Sequence, residues 1–282
     1  MKKYAFLTLA IAFGLLSISL PSTIRSTNAQ NTTGDFVPPS VFQAAGKDVA
    51  SIQSSVDAFR AALGNPNNGN GGPMDTGHRE INWDGAGGAD TTTTVPITPF
   101  NVFLNTRGSQ FTTPGIGLTQ APASGGPQGG LAVLFNNPSY GTILKPFSNM
   151  RLFTPVGSNI TEALFFRPGS NGSIPATVTG FGAVFTDVDQ PDGSGPGEKR
   201  GNRGASTLVE FFGVNGELLF SSFVPASPGD GSQSFFGVKF NDARIARVKI
   251  TTGDVAPGPD DDSNNDIVVM DDFIYGEPKA LP

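Results

Sequence analysis

The chain has 282 residues, with 18 Lys and Arg against 24 Asp and Glu, a single His, a single Trp and no Cys. The missing cysteines exclude disulfides, thiol nucleophiles and thiolate metal centres together. A formal net charge of −6 leaves no basic footprint of the kind that nucleic acids and anionic lipid surfaces require.

Lys2 and Lys3 precede an apolar run that reaches Leu20, and Thr27 and Ala29 supply small residues at the −3 and −1 positions of a cleavage site. This is the anatomy of a secretory signal peptide over residues 1–29. It predicts a secreted protein, extracellular or periplasmic, with no membrane span after cleavage. Loss of Lys2, Lys3 and Arg25 leaves 15 basic and 24 acidic residues, a net charge of −9.

A leader runs from residue 30 to Pro39, after which Ser40 and Gln43 stand at capping-box spacing. Phe42, Ala45, Val49, Ile52, Val56, Phe59 and Leu63 follow at three- and four-residue steps. The spacing predicts one amphipathic helix over residues 41–63, stopped by Gly64, with Asp57 and Arg60 turned outward. Residues 65–76, NPNNGNGGPMDT, predict a Gly/Asn linker with nothing to bury.

From His78 onward the pattern changes to short apolar or alternating runs bounded by Gly, Pro, Asn and Ser, the mark of strands and turns. They cover residues 100–104, 110–113, 131–135, 151–156, 163–167, 176–186, 207–214, 218–224, 234–240, 244–252 and 267–275. TRGSQFTTPGIGL predicts two strands across Pro114-Gly115, and Asn215-Gly216 predicts a two-residue hairpin turn. With 37 Gly, 23 Pro and 23 Phe, the chain is predicted to be all-β over residues 77–278. The architecture expected is a two-sheet antiparallel, jelly-roll-like sandwich with one N-terminal amphipathic helix.

The blocks HREINWDG, RGSQFTTPG, MRLFTPVGSN, GFGAVFTDVD, RIARVKITTG and MDDFIYGEP, spread over residues 78–278, resemble a group of uncharacterised exported bacterial proteins. That resemblance implies location and fold, and no activity. A looser likeness runs to the jelly-roll domains of bacterial surface-sorted proteins. Where such modules hold calcium, the likeness implies one of Asp271 and Asp272 as a ligand, helped by Glu80 or Asp84.

Two acidic groups carry the metal chemistry. Asp187 and Asp189, followed by Asp192 in a Gly-rich loop, and Asp271 with Asp272 on the last strand offer the oxygen ligands that calcium takes. They predict a structural calcium, with solvated acidic turns as the alternative. Strand alternation sends Asp271 and Asp272 to opposite faces. Trp83 beside Asp84 is the candidate ligand platform, a stacking ring with a polar neighbour, although a Trp packed under the sandwich is the alternative. The lone His78 lacks the second histidine or cysteines of a zinc site and a GxSxG elbow for a serine triad. Three functions stay open. The first is a non-catalytic binding or adhesion module for a glycan or cell-surface polymer. The others are a carboxylate-based polysaccharide hydrolase and a structural envelope or matrix component.

Overall fold

The computed structural model describes residues 37–84, 93–126, 128–189, 195–196, 207–259 and 265–281. The expected signal peptide, most of the leader and Asp192 lie outside the described residues. In chain order the elements begin with β1 (Ser40–Gly46), α1 (Val49–Leu63), β2 (His78–Ile81), β3 (Thr93–Ile97), α2 (Leu104–Arg107), β4 (Ser109–Thr112) and β5 (Gly117–Ala121). Next come α3 (Gly130–Leu134), α4 (Tyr140–Ile143), β6 (Leu152–Val156), β7 (Ile160–Phe165), β8 (Ala176–Thr177), β9 (Gly180–Thr186) and β10 (Gly195–Pro196). The remainder are β11 (Leu208–Phe212), β12 (Leu218–Phe223), β13 (Gln233–Lys239), β14 (Arg247–Thr251), β15 (Val269–Gly276) and β16 (Lys279–Ala280).

Two antiparallel sheets face each other. One runs β1-β13-β9-β15-β6-β5-β3, with β2 also paired to β15; the other runs β10-β12-β11-β14-β7-β4. Between them lies a core rich in phenylalanine, including Phe111, Phe153, Phe181, Phe211 and Phe273. The larger sheet is covered on its outer face as well. Ile52, Val56, Phe59 and Leu63 of α1 pack on Val184, Phe235 and Ile274, while Leu131, Tyr140 and Leu144 pack on Leu152 and Val269. Burial on both faces is why β9 and β15 are buried at every position and largely apolar instead of alternating, Asp271 and Asp272 being the exceptions in β15. The smaller sheet keeps a wet face, so β7, β11 and β14 alternate. On that face Glu162 meets Arg247 at 2.5 Å and Glu210 meets Lys249 at 2.8 Å.

Helix α1 lies close to the sheet because of a glycine pair. Gly182 and Gly237 are direct partners across β9 and β13, and Phe59 sits over them. A Cβ at either position would come 2.9 or 3.0 Å from the Phe59 ring, so only glycine admits the helix at this distance.

Several expectations need correction. The predicted helix over residues 41–63 is a strand followed by a shorter helix. Residues 40–46 add β1 to the free edge of β13, and the cap is Asp48, whose Oδ1 accepts the Ser51 N–H at 3.0 Å. Gly46 disfavours helix, while the sheet edge offers the ladder that a strand needs. The strands across Pro114-Gly115 are no hairpin: β4 joins the smaller sheet and β5 the larger one. Residues 131–134 lie in α3 instead of a strand, with Phe135 as its C-cap, and the helix is entered through Gly129 and Gly130 at positive φ. The hairpin at Asn215-Gly216 forms, but Phe212 pairs with Leu218, making its loop five residues long (213–217) instead of two. No helix among the described residues is long and apolar enough to cross a membrane.

Candidate functional site

Trp83 follows β2 with φ of 62°, and this left-handed turn drives its indole inward. The ring is 0% exposed and stacks on Phe153 at 3.7 Å with an interplanar angle of 3°. Phe100, Phe103, Phe111 and Phe273 surround it edge-on. No sugar can reach a ring closed in this way, so the platform reading is corrected: Trp83 is the centre of the core. Asp84 is corrected for a related reason. Its Oδ1 accepts the N–H groups of Met150 and Arg151 at 3.1 and 2.9 Å, which commits it to holding the loop before β6.

The four candidate metal ligands divide between two places. Asp189 Oδ1 accepts the Gly229 N–H, and the Asp189 N–H reaches Asp266 Oδ1, so Asp187 and Asp189 belong to the loops beyond the end of β9. Asp271 and Asp272 lie further along β15 and face other partners. Among the described residues no three His, Cys, Asp or Glu side chains group as cation ligands.

Asp271 and Asp272 do not alternate as a regular strand requires. β15 pairs Met270 with Phe185 and Phe273 with Ala183, so one extra residue bulges there. On its other edge β15 pairs β6 only at Met270 and β2 only from Phe273. Into this gap comes the loop before β6, whose Phe147 and Ser148 N–H groups donate to Asp271 Oδ2 at 2.6 and 3.2 Å. Asp272 lies 3.6 Å from the Arg60 guanidinium. Burial pushes the Asp271 carboxyl well above the usual carboxylate range, and the adjacent Asp272 pushes it further. Asp272 is also raised, chiefly by burial.

The sign for stability follows directly. Asp271 holds its proton in the fold at pH values where the unfolded chain has lost it. Its contribution is therefore complete below the ordinary carboxylate range and is lost as pH rises towards the elevated folded value. Asp271→Asn keeps an acceptor for both N–H groups and removes the titration. Its melting temperature should exceed that of the parent at pH 7 and match it near pH 4; an equal shift at both values would reject this account.

Around Asp272 the structure opens a pocket of about 290 Å³ whose walls include Arg60, Glu80, Asn82, Arg107 and Ser148. Arg60 lies in the last turn of α1, and its Nε and Nη2 donate to the two Glu80 oxygens at 2.9 and 3.0 Å. The expectation that Arg60 faces outward is therefore corrected. His78 braces the same carboxylate. Its Nε2 lies 2.9 Å from Glu80 Oε1 and its Nδ1 2.6 Å from the Gly64 carbonyl at the end of α1. Both partners are acceptors, so both ring nitrogens donate and His78 is an imidazolium. Burial opposes its charge, but the bonds to Glu80 and Gly64 outweigh that and raise its pKa. Burial likewise opposes the Glu80 charge, and the bonds from His78 and Arg60 prevail, lowering its pKa. With both nitrogens occupied, His78 has no lone pair for general-base work.

Arg107 ends α2 and is fixed by three neutral contacts. It donates to the Glu80 carbonyl and, at 2.8 Å, to Asn70 Oδ1. Its guanidinium lies 4.9 Å from the Phe103 ring centroid. Burial lowers its pKa and the nearby Arg79 charge adds to that effect, together outweighing the opposite pull of Tyr275 and of the Glu80 charge.

The floor beside this pocket is the stretch read as a linker. Residues 65–76 wrap instead around Arg79, which is 0% exposed and donates to the carbonyls of Gly69, Gly71, Gly72 and Thr106 at 2.7–2.9 Å. Glu277 closes the knot, bonding Arg79 at 2.7 and 2.8 Å and accepting from Asn68 and Met74. Polar glycine-rich sequence is ordered here because a buried guanidinium consumes its carbonyls. A second cavity, of about 390 Å³, lies below the end of α1 between Leu63, Lys239 and Lys279. Lys279 is already spent on the carbonyls of Met74 and Asp75, so the first pocket is the better site.

Sequence reasoning missed Arg60 and Arg107, since a charged residue on a helix reads as solvated whatever it meets. Glu80 carries a readable signal only in HxE, where His and Glu share one strand face. Comparison with protein-family models, curated proteins and solved structures returned no match.

Proposed function

We propose that the protein is a secreted, non-catalytic binding module for a glycan or cell-surface polymer, with the pocket beside Glu80 as its site. The observation that supports this is the wall itself: planar donors and acceptors from Arg60, Glu80 and Arg107, held in place by ion pairs and backbone contacts before any ligand arrives, with the exposed Asn82 beside them. Preorganised polar groups lose little entropy on binding, and a polyhydroxylated ligand needs fixed hydrogen-bonding partners. The experiment is a glycan array with the mature chain. Binding that Asn82→Ala weakens by roughly tenfold, about 1.4 kcal/mol, supports the reading; no binding to any glycan rejects it.

One observation favours the hydrolase as second reading. Asp272 is raised and Glu80 lowered in a single pocket, the divergence expected of an acid and a carboxylate partner. Glu80, however, is held by Arg60 and His78 together, which blunts it as base or nucleophile. Release of reducing ends from polysaccharide, abolished in Glu80→Gln, would replace the binding reading with this one.

Calcium is carried forward as a proposal for the Asp187–Asp189 end alone. At Asp271 and Asp272 the carboxyl groups are already engaged, Asp272 by Arg60 and Asp271 by two backbone N–H groups. A higher melting temperature in calcium than in chelator supports the ion; identical melting overturns it.

A further inference from the structure

The charges around the pocket do not balance evenly. Arg60 is paired with Glu80 and with Asp57, His78 with Glu80, and Arg79 with Glu277. Arg107 forms no ion pair among the described residues. Its bonds go to a backbone carbonyl and a side-chain amide, and its Nη2 has no hydrogen-bond partner among the described residues. The side chain is half-buried, so water only partly compensates this charge. A guanidinium left in that condition costs stability unless a ligand supplies the missing anion.

We propose that Arg107 makes the pocket selective for a ligand bearing a carboxylate, so that the polymer recognised contains acidic sugar units. This rests on the binding reading above and narrows it to one chemical class. Three features fit. The guanidinium plane is fixed against Phe103 and by the Asn70 bond, and Arg107 lines the pocket. Planar guanidinium meets carboxylate with matched geometry, a pairing that a lysine ammonium does not reproduce. The Glu80 carboxylate is already bracketed by Arg60 and His78, so an entering carboxylate meets a compensated charge there. Asp272, the other acid on the wall, lies against Arg60.

The test is calorimetric titration of the mature chain with a panel of oligouronates, each paired with its methyl ester. The pairs differ only in the negative charge. The parent should bind the acids at least tenfold more tightly than the esters. Arg107→Gln should weaken the acid far more than the ester and so erase that preference, and Arg107→Lys should restore only part of it. Added salt should weaken the acid and spare the ester. Equal binding of acid and ester by the parent overturns the proposal and leaves the binding module standing. A preference that persists in Arg107→Gln, with the variant melting like the parent, assigns the selectivity elsewhere and also overturns it. Binding of neither form by the parent removes the proposal and the binding reading together.

Discussion

Glu277→Ala is expected to cost about 3–5 kcal/mol, because it strands a fully buried guanidinium without its counter-ion. For a domain of this size that corresponds to a fall in melting temperature of roughly 6–20 °C. The loss reaches beyond the pair. The Glu277 carboxylate also accepts from the Asn68 side chain and the Met74 N–H, so residues 65–76 lose their anchor to the end of the sheet. Limited proteolysis should therefore cut this segment faster in the variant under native conditions. Replacing Arg79 and Glu277 together by apolar residues should cost less than the sum of the single changes, since neither charge is then left alone. A Glu277→Ala protein that melts within 2 °C of the parent would show that the knot contributes little.

Trp83→Ala is the second large effect, also about 3–5 kcal/mol, for removal of the ring that five phenylalanines enclose. The backbone adds a signature. At φ of 62° an alanine keeps the left-handed strain and a glycine does not. Trp83→Gly should therefore be no less stable than Trp83→Ala, reversing the ordinary order of the two residues. Urea denaturation of both variants decides it, and a glycine variant weaker by about 1 kcal/mol would refute the strain argument. Since the only tryptophan is closed off from solvent, its fluorescence in the parent should report unfolding and stay unchanged on adding glycan.

Legibility in the sequence followed the physics of each element. β9 and β15 could be read because a strand buried on both faces must be apolar throughout, and GFGAVFT and VMDDFIYG nearly are. β14 could be read because its solvated face alternates Arg247, Lys249 and Thr251 with buried Val248 and Ile250. The helix could be read only from Val49. The residues before it share its spacing by chance of composition, and a strand edge elsewhere in the chain recruited them. The same limit explains Trp83. A Trp next to an Asp is equally compatible with a wet platform and a dry core, and one left-handed residue decides between them. For the acid pair, alternation is a sound rule for an unbroken strand; it fails at 271–272 because β15 exchanges one neighbour for another at that point.

Sequence alone determined the sandwich, its dominant strands and the exclusion of cysteine chemistry, because periodicity and composition report burial directly. It also carries the pattern from which export is expected, in residues outside the described structure. Only the tertiary structure decided the candidate site. Arg60, Glu80, Arg107 and Asp272 come from a helix end, an early strand, a short helix and a bulge near the C-terminus. Their meeting depends on which strand pairs with which, and no local pattern encodes that. Charge pairing acts through space, so a residue that is ordinary in the chain becomes informative once its partner, or the lack of one, is known.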